Sequence, residues 1–130
     1  METVHLAVNG VLMRGLALNR NLLTVGATFV GEAQTAPVYR LWSIDDQYPA
    51  MQRIHRGGTA ITLEVWAMPL SHLGTILRQE PPGLCIGTVL LADGSTVLGV
   101  LGEAYVCAGQ PEITSWGGWR AYMGHQGGTT

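Results

Sequence analysis

Lysine is missing from this chain altogether, and all seven of its basic residues are arginine. That absence excludes a lysine Schiff base and a phosphate-loop lysine, and it leaves any cation in use to fixed, bidentate recognition of carboxylates. Charge of either sign is scarce: 12% of residues are charged against 47% apolar, and the net charge is -2. With no run of basic residues there is no electrostatic footprint for nucleic acid, and no nucleic-acid partner is expected. So little charge also leaves apolar surface for a partner chain to cover, with a homodimer as the default expectation. The two cysteines, Cys85 and Cys107, lie far apart in apolar stretches. They point to neither a disulfide framework nor a zinc site, and both read as buried small hydrophobes.

Long apolar runs are missing too. None approaches the roughly 20 residues of a membrane span, and the start Met1-Glu2-Thr3-Val4-His5 lacks the basic region of a signal peptide. A cytoplasmic location with no membrane partner is therefore expected. There is no Gly-x-Ser-x-Gly elbow and no cluster of metal ligands, so no cofactor and no metal are expected, and serine hydrolase and metalloenzyme readings have no support.

The 130 residues suit one hydrophobic core, expected over residues 1–123, followed by a polar, glycine-rich tail at 124–130 expected to be mobile. Val4 to Val8 reads as a strand, and Asn19 as the N-cap of a short helix that stops at Gly26. Strands follow at Ala27 to Ala33 and Val38 to Ile44, then a reversal at Asp45-Asp46 and Tyr48-Pro49. Ile61, Leu63 and Val65 alternate with Thr62, Glu64 and Trp66, the period-two pattern of a strand with one face in the core. The second set is expected on the exterior, with the lining of a pocket as the alternative. Pro69 suits the first turn of a helix with Leu70, Leu73, Ile76 and Leu77 as its apolar stripe, ended by Pro81-Pro82. Ile86 to Leu91 and Thr96 to Leu101 flank Asp93-Gly94, a hairpin signal. Several strands with two short helices indicate an α+β domain dominated by a mixed sheet.

The segment with most chemical promise is Ala7-Val8-Asn9-Gly10-Val11-Leu12-Met13-Arg14-Gly15, where a strand breaks into a glycine-flanked loop that leads to a helix. Such a loop presents several backbone N–H groups to one anionic oxygen, and glycine permits close approach to the main chain. Its wording resembles the Tyr-Gly-Ser/Thr-Leu signature that opens the gamma-glutamylcyclotransferase-like superfamily. Gly26 to Thr35 and Tyr39-Arg40-Leu41-Trp42 resemble that superfamily's second block, a strand and a return strand. Pro82 to Val89, the strand pair around Asp93-Gly94, and Ile113 to Tyr122 with its Gly-Gly-Trp-Arg-Ala-Tyr end are similar to the C-terminal domain of allophanate hydrolase. The resemblance spans roughly residues 4 to 123 and implies a small mixed β-barrel with short helices packed outside. It implies a stand-alone version of that module, without the amidase domain that precedes it in the enzyme.

The resemblance implies that Asn9, Gly10, Val11, Leu12 and Arg14 bind a small anionic metabolite and that Glu80 is a general acid/base. Glu80 ends the helix after Pro69, where the negative end of the dipole and partial burial both raise a carboxyl pKa. A solvated helix terminus is the plainer alternative. The signature tyrosine is replaced by Asn9, and the histidine usual in allophanate hydrolase domains by Leu12. Arg14 and Arg120 are the cations expected to meet a substrate carboxylate, and Trp116, Trp119 and Tyr122 read as packing. His5, His55, His72 and His125 sit in no motif, and alternation splits Arg53 and His55 from Arg56.

Three functions follow. The first is breakdown of a small carboxylated carbamate, N-carboxycarbamate-like, to ammonia and carbon dioxide. The second is a gamma-glutamylcyclotransferase-like release of 5-oxoproline. The third is a non-catalytic accessory domain for an amidase partner.

Overall fold

A computed structural model describes residues 2–128. The strands are β1 (Thr3–Val8), β2 (Thr28–Gln34), β3 (Tyr39–Ile44), β4 (Tyr48–Arg53), β5 (Thr62–Pro69), β6 (Leu84–Leu90) and β7 (Thr96–Gly102). The α-helices are α1 (Asn19–Thr24), α2 (Leu73–Arg78), α3 (Ala104–Cys107) and α4 (Trp119–Gly128). Five strands form one sheet in the order β2-β5-β1-β7-β6, with β1 and β7 parallel and the other pairs antiparallel. β3 and β4 form a separate hairpin.

The chain is thus a mixed α+β fold, but its sheet is not a closed barrel. Among the described residues the two edges of the sheet are joined by one bridge, Thr35 to Leu91, with Ala36 N–H donating to Leu90 O and Ala92 N–H to Gln34 O. β2 and β3 are consecutive in the chain but belong to different sheets. Thr35 is fully buried, accepts from Ile61 N–H at 2.9 Å and donates to Ala36 O, which turns the chain off the sheet before β3 begins. β3 then pairs with β4, and the Tyr39 hydroxyl accepts from Leu90 N–H at 2.9 Å, tying the hairpin back to β6.

Leu6, Val8, Leu22, Leu41, Ile61, Leu63, Met68, Ile76 and Val89 build the core. β5 lies between β1 and β2, and both of its faces are covered: Glu64 and Trp66 are as buried as Leu63 and Val65. The exterior placement expected for Glu64 and Trp66 is therefore overturned, because the segment after β1 and helix α4 cover that face. Pro69 closes β5 rather than opening a helix. A 3-10 turn, Leu70–His72, precedes α2, whose stripe turns Ile76 inward and leaves Leu70 and Leu77 exposed. The segment expected as a tail from Gly124 is helical to Gly128 in α4, and residues 129 and 130 lie outside the described residues. Among the described residues no helix is long and apolar enough to cross a membrane.

Candidate active site

The loop after β1 is folded on its own carbonyls. Met13 N–H donates to Gly10 O at 3.0 Å, Leu18 N–H to Val11 O at 2.9 Å, and the buried Asn19 side chain to Leu12 O at 2.8 Å. Among the described residues nothing accepts a hydrogen bond from the N–H groups of Gly10, Val11 or Leu12. Three consecutive donors without acceptors leave this loop able to take an anionic oxygen. Gly10 is required there, since a Cβ would sit 2.5 Å from Pro49 Cδ and 2.8 Å from Cγ. Gly10→Ala is expected to cost about 1–3 kcal/mol by overpacking, read by urea unfolding, with the loop amide resonances displaced.

Opposite the loop stands the β3–β4 turn. Asp45 and Asp46 both adopt left-handed backbone (φ 53° and 54°), and Gln47 N–H closes the turn on Ile44 O at 2.9 Å. Two non-glycine residues in this region need outside support. Ser43 donates to Asp46 Oδ1, Tyr122 donates to the same oxygen at 2.7 Å, and Gln110 donates to Asp45 Oδ1 at 3.3 Å. These bonds from Ser43 and Tyr122 hold the Asp46 carboxyl below its ordinary pKa. So braced, the turn delivers Tyr48 and Pro49 to the loop.

The third wall comes from the end of α2. Glu80 follows the helix, with its N–H on Leu77 O at 3.2 Å, and shares one small pocket with Asn9, Gly10, Val11, Leu12 and Tyr48. Among the described residues it has no ion-pair partner and accepts no hydrogen bond. Burial pushes its pKa from 4.5 up to about 7, placing it between acid and base at neutral pH. The Tyr48 hydroxyl is also raised, by burial first and then by the charges of Asp45, Tyr105 and Glu80, so it stays protonated and able to donate. The pocket's free volume is about 10 Å³, room for one water-sized group beyond the atoms already present. Two larger hollows, of about 350 and 420 Å³, flank Arg120 but include neither Gly10 nor Glu80.

Asn9 is 3% exposed and its side-chain nitrogen donates to Val100 O at 3.0 Å and contacts Met51 Sδ at 3.8 Å, pinning the loop to β7 and β4. Arg14 does not line the pocket. Its backbone N–H and its Nε donate to Glu64 Oε1 and Oε2 at 2.9 and 3.1 Å, and its guanidinium lies 3.8 Å from the centre of the Phe29 ring. Arg120 also donates to Glu64 Oε2, at 3.1 Å, and to Arg14 O, while Trp66 Nε1 donates to Oε1 at 3.1 Å. The two arginines expected to meet a substrate carboxylate are therefore engaged by a carboxylate of the chain itself. Glu64 was missed because alternation placed it outside, yet a lone charge in the otherwise uncharged stretch Thr62–Pro69 was its signal.

Among the described residues no group of three His, Cys, Asp or Glu side chains is placed to hold a metal ion. Arg40 donates to the backbone oxygens of Arg56 and Gly57, at 3.0 and 3.4 Å, and Arg53 to Arg56 do not line the pocket of Glu80.

The family described as the allophanate hydrolase C-terminal domain matches residues 4–124. The chain is 32% identical over 128 residues to the urea amidolyase of Saccharomyces cerevisiae, covering 93% of this chain and 7% of that protein. A solved uropathogenic E. coli-specific protein is 53% identical with a TM-score of 0.94, over 96% of this chain and 98% of that one. Kluyveromyces lactis allophanate hydrolase is 30% identical with a TM-score of 0.91, over 97% of this chain and 22% of that one. Likeness of fold alone extends to a mouse AIG2-like protein and a gamma-glutamyl cyclotransferase, at 19% and 18% identity with TM-scores of 0.62 and 0.54.

Proposed function

Because this chain belongs to the allophanate hydrolase C-terminal domain family, we propose that it breaks down a small carboxylated carbamate of the N-carboxycarbamate type to ammonia and carbon dioxide. The observation that carries this reading is that Glu80, a carboxyl whose pKa burial raises to about 7, lines one small pocket with Gly10, Val11 and Leu12, whose N–H groups have no acceptor among the described residues. In this proposal the N–H groups of Gly10, Val11 and Leu12 hold one carboxylate of the substrate. Glu80, protonated, gives its proton to the substrate nitrogen as the C–N bond breaks. The bonding pair stays on nitrogen and one carbon dioxide leaves. The carbamate that remains takes up a second proton and splits into ammonia and a second carbon dioxide, so that two protons are consumed per substrate dianion. Tyr48 donates to the second carboxylate.

The partners that go with the reading are an amidase that supplies the substrate from allophanate and a second copy of the chain. The test is the decay rate of N-carboxycarbamate generated in the tube by an amidase domain, followed by rapid-sampling carbon NMR. Faster decay with the protein than without it is expected. An unchanged rate removes the enzymatic reading in favour of an accessory role.

A further inference from the structure

We propose that Asn9 Oδ1 is the specificity determinant of this pocket, accepting a hydrogen bond from an N–H at the centre of the ligand and so selecting an imino-linked acid over its methylene analogue. The inference rests on the substrate class proposed above and deepens it. Asn9 is almost fully buried, and its amide nitrogen is committed to Val100 O at 3.0 Å, with Met51 Sδ at 3.8 Å. Turning the amide over would set Oδ1 against Val100 O, two acceptors in contact, so the orientation is fixed by chemistry. Among the described residues no group donates to Oδ1, yet no buried side-chain oxygen or nitrogen is sealed away without a partner. Oδ1 is therefore reachable, and the space beside Asn9 is the pocket it lines with Gly10 and Glu80.

The rest of the pocket supplies donors or a titrating proton: three loop N–H groups, the Tyr48 hydroxyl and Glu80. Its remaining walls, Val8, Pro49, Leu84 and Val100, are apolar side chains. Asn9 Oδ1 is thus the one amide oxygen among the lining side chains, the neutral Tyr48 hydroxyl being the other that can accept. A ligand whose ends are oxygen acceptors and whose centre is an N–H matches this arrangement group for group. With its N–H on Asn9, the nitrogen lone pair is left for the proton of Glu80. A methylene at the centre leaves Oδ1 dehydrated and unpaired, and discrimination against a ligand that lacks the expected donor is large for that reason.

The experiment compares allophanate with malonamate, which have the same charge and the same terminal amide and differ by N–H against CH2. Affinities are read by calorimetry and by the shift of the Gly10 amide resonance. Wild type is expected to prefer allophanate by about tenfold or more. Asn9→Val is expected to bring the two ligands within about twofold of each other, judged as a ratio so that a general loss of affinity does not confuse it. If Asn9→Val does not fold, Asn9→Ser, which draws the acceptor back from the pocket, is expected to show the same collapse. Equal affinities in wild type, or a preference that survives in the variants, overturns the role of Asn9 and leaves the anion-binding loop standing. Absence of binding and of any Gly10 shift with both ligands overturns the substrate class and the role of Asn9 together.

Discussion

Glu64→Ala is expected to lower the unfolding free energy by about 3 kcal/mol, with Glu64→Gln losing roughly half as much, measured by urea denaturation at pH 7. The side chain is 1% exposed and receives hydrogen bonds from Arg14 N–H, Arg14 Nε, Arg120 and Trp66 Nε1. The ion pairs themselves contribute modestly, because the Arg14 and Arg120 side chains are 50% and 41% exposed and rehydrate when the carboxylate is gone. The larger loss comes from the Arg14 N–H and the Trp66 indole, left without acceptors, each at about 1–3 kcal/mol before relaxation. Glutamine keeps an oxygen for those two but turns an amide toward the arginines. Burial alone would raise the Glu64 pKa, but the bonds from Arg14 N–H, Trp66, Arg120 and the Arg14 side chain outweigh it and hold it below 4.5. A carboxyl with a depressed folded pKa contributes stability that is complete above 4.5 and is lost as pH falls through the folded value. Wild type should accordingly lose stability below pH 4.5 more steeply than Glu64→Gln. Equal slopes would show that the carboxylate charge carries none of the effect.

Local pattern made much of the sheet legible. The alternation at Ile61 to Trp66 marked β5, the Asp93-Gly94 turn marked the β6–β7 hairpin, and the fold class followed. What pattern leaves open is which faces are covered, because the cover comes from far along the chain. Glu64 is capped by Arg14 from 50 residues away and by Arg120 from 56. No two-residue period carries that information. Helix α4 was illegible for a related reason: its run of glycines and lack of an apolar stripe deny it any propensity signal, and it is held by Trp119 in the core and by Tyr122 and Arg120 reaching other elements. The meeting of Glu80 with the loop after β1 was available through family resemblance alone, since 70 residues and four strands separate them.

Glu80→Gln is expected to abolish acceleration of N-carboxycarbamate decay while making the protein more stable at alkaline pH. Loss of a positioned proton donor costs roughly a hundredfold to ten-thousandfold in rate. In the proposed reaction the acid form of Glu80 is the one that acts, so the wild-type rate should fall as pH rises through about 7, where burial sets its pKa. The stability effect runs opposite to that of Glu64. A carboxyl raised from 4.5 to about 7 keeps its proton in the folded state where the unfolded chain has released it. Stability therefore falls between pH 4.5 and 7 and is level above. At about 1.4 kcal/mol per pH unit that fall amounts to about 3 kcal/mol at most. Glutamine has no proton to lose, so the variant should match wild type near pH 4 and exceed it near pH 8. A variant that gains stability at pH 8 and loses activity identifies Glu80 as a carboxyl kept in an unfavourable place for its chemistry. If activity disappears with no gain at pH 8, Glu80 is ordinarily solvated and its role in proton transfer at neutral pH falls with its pKa.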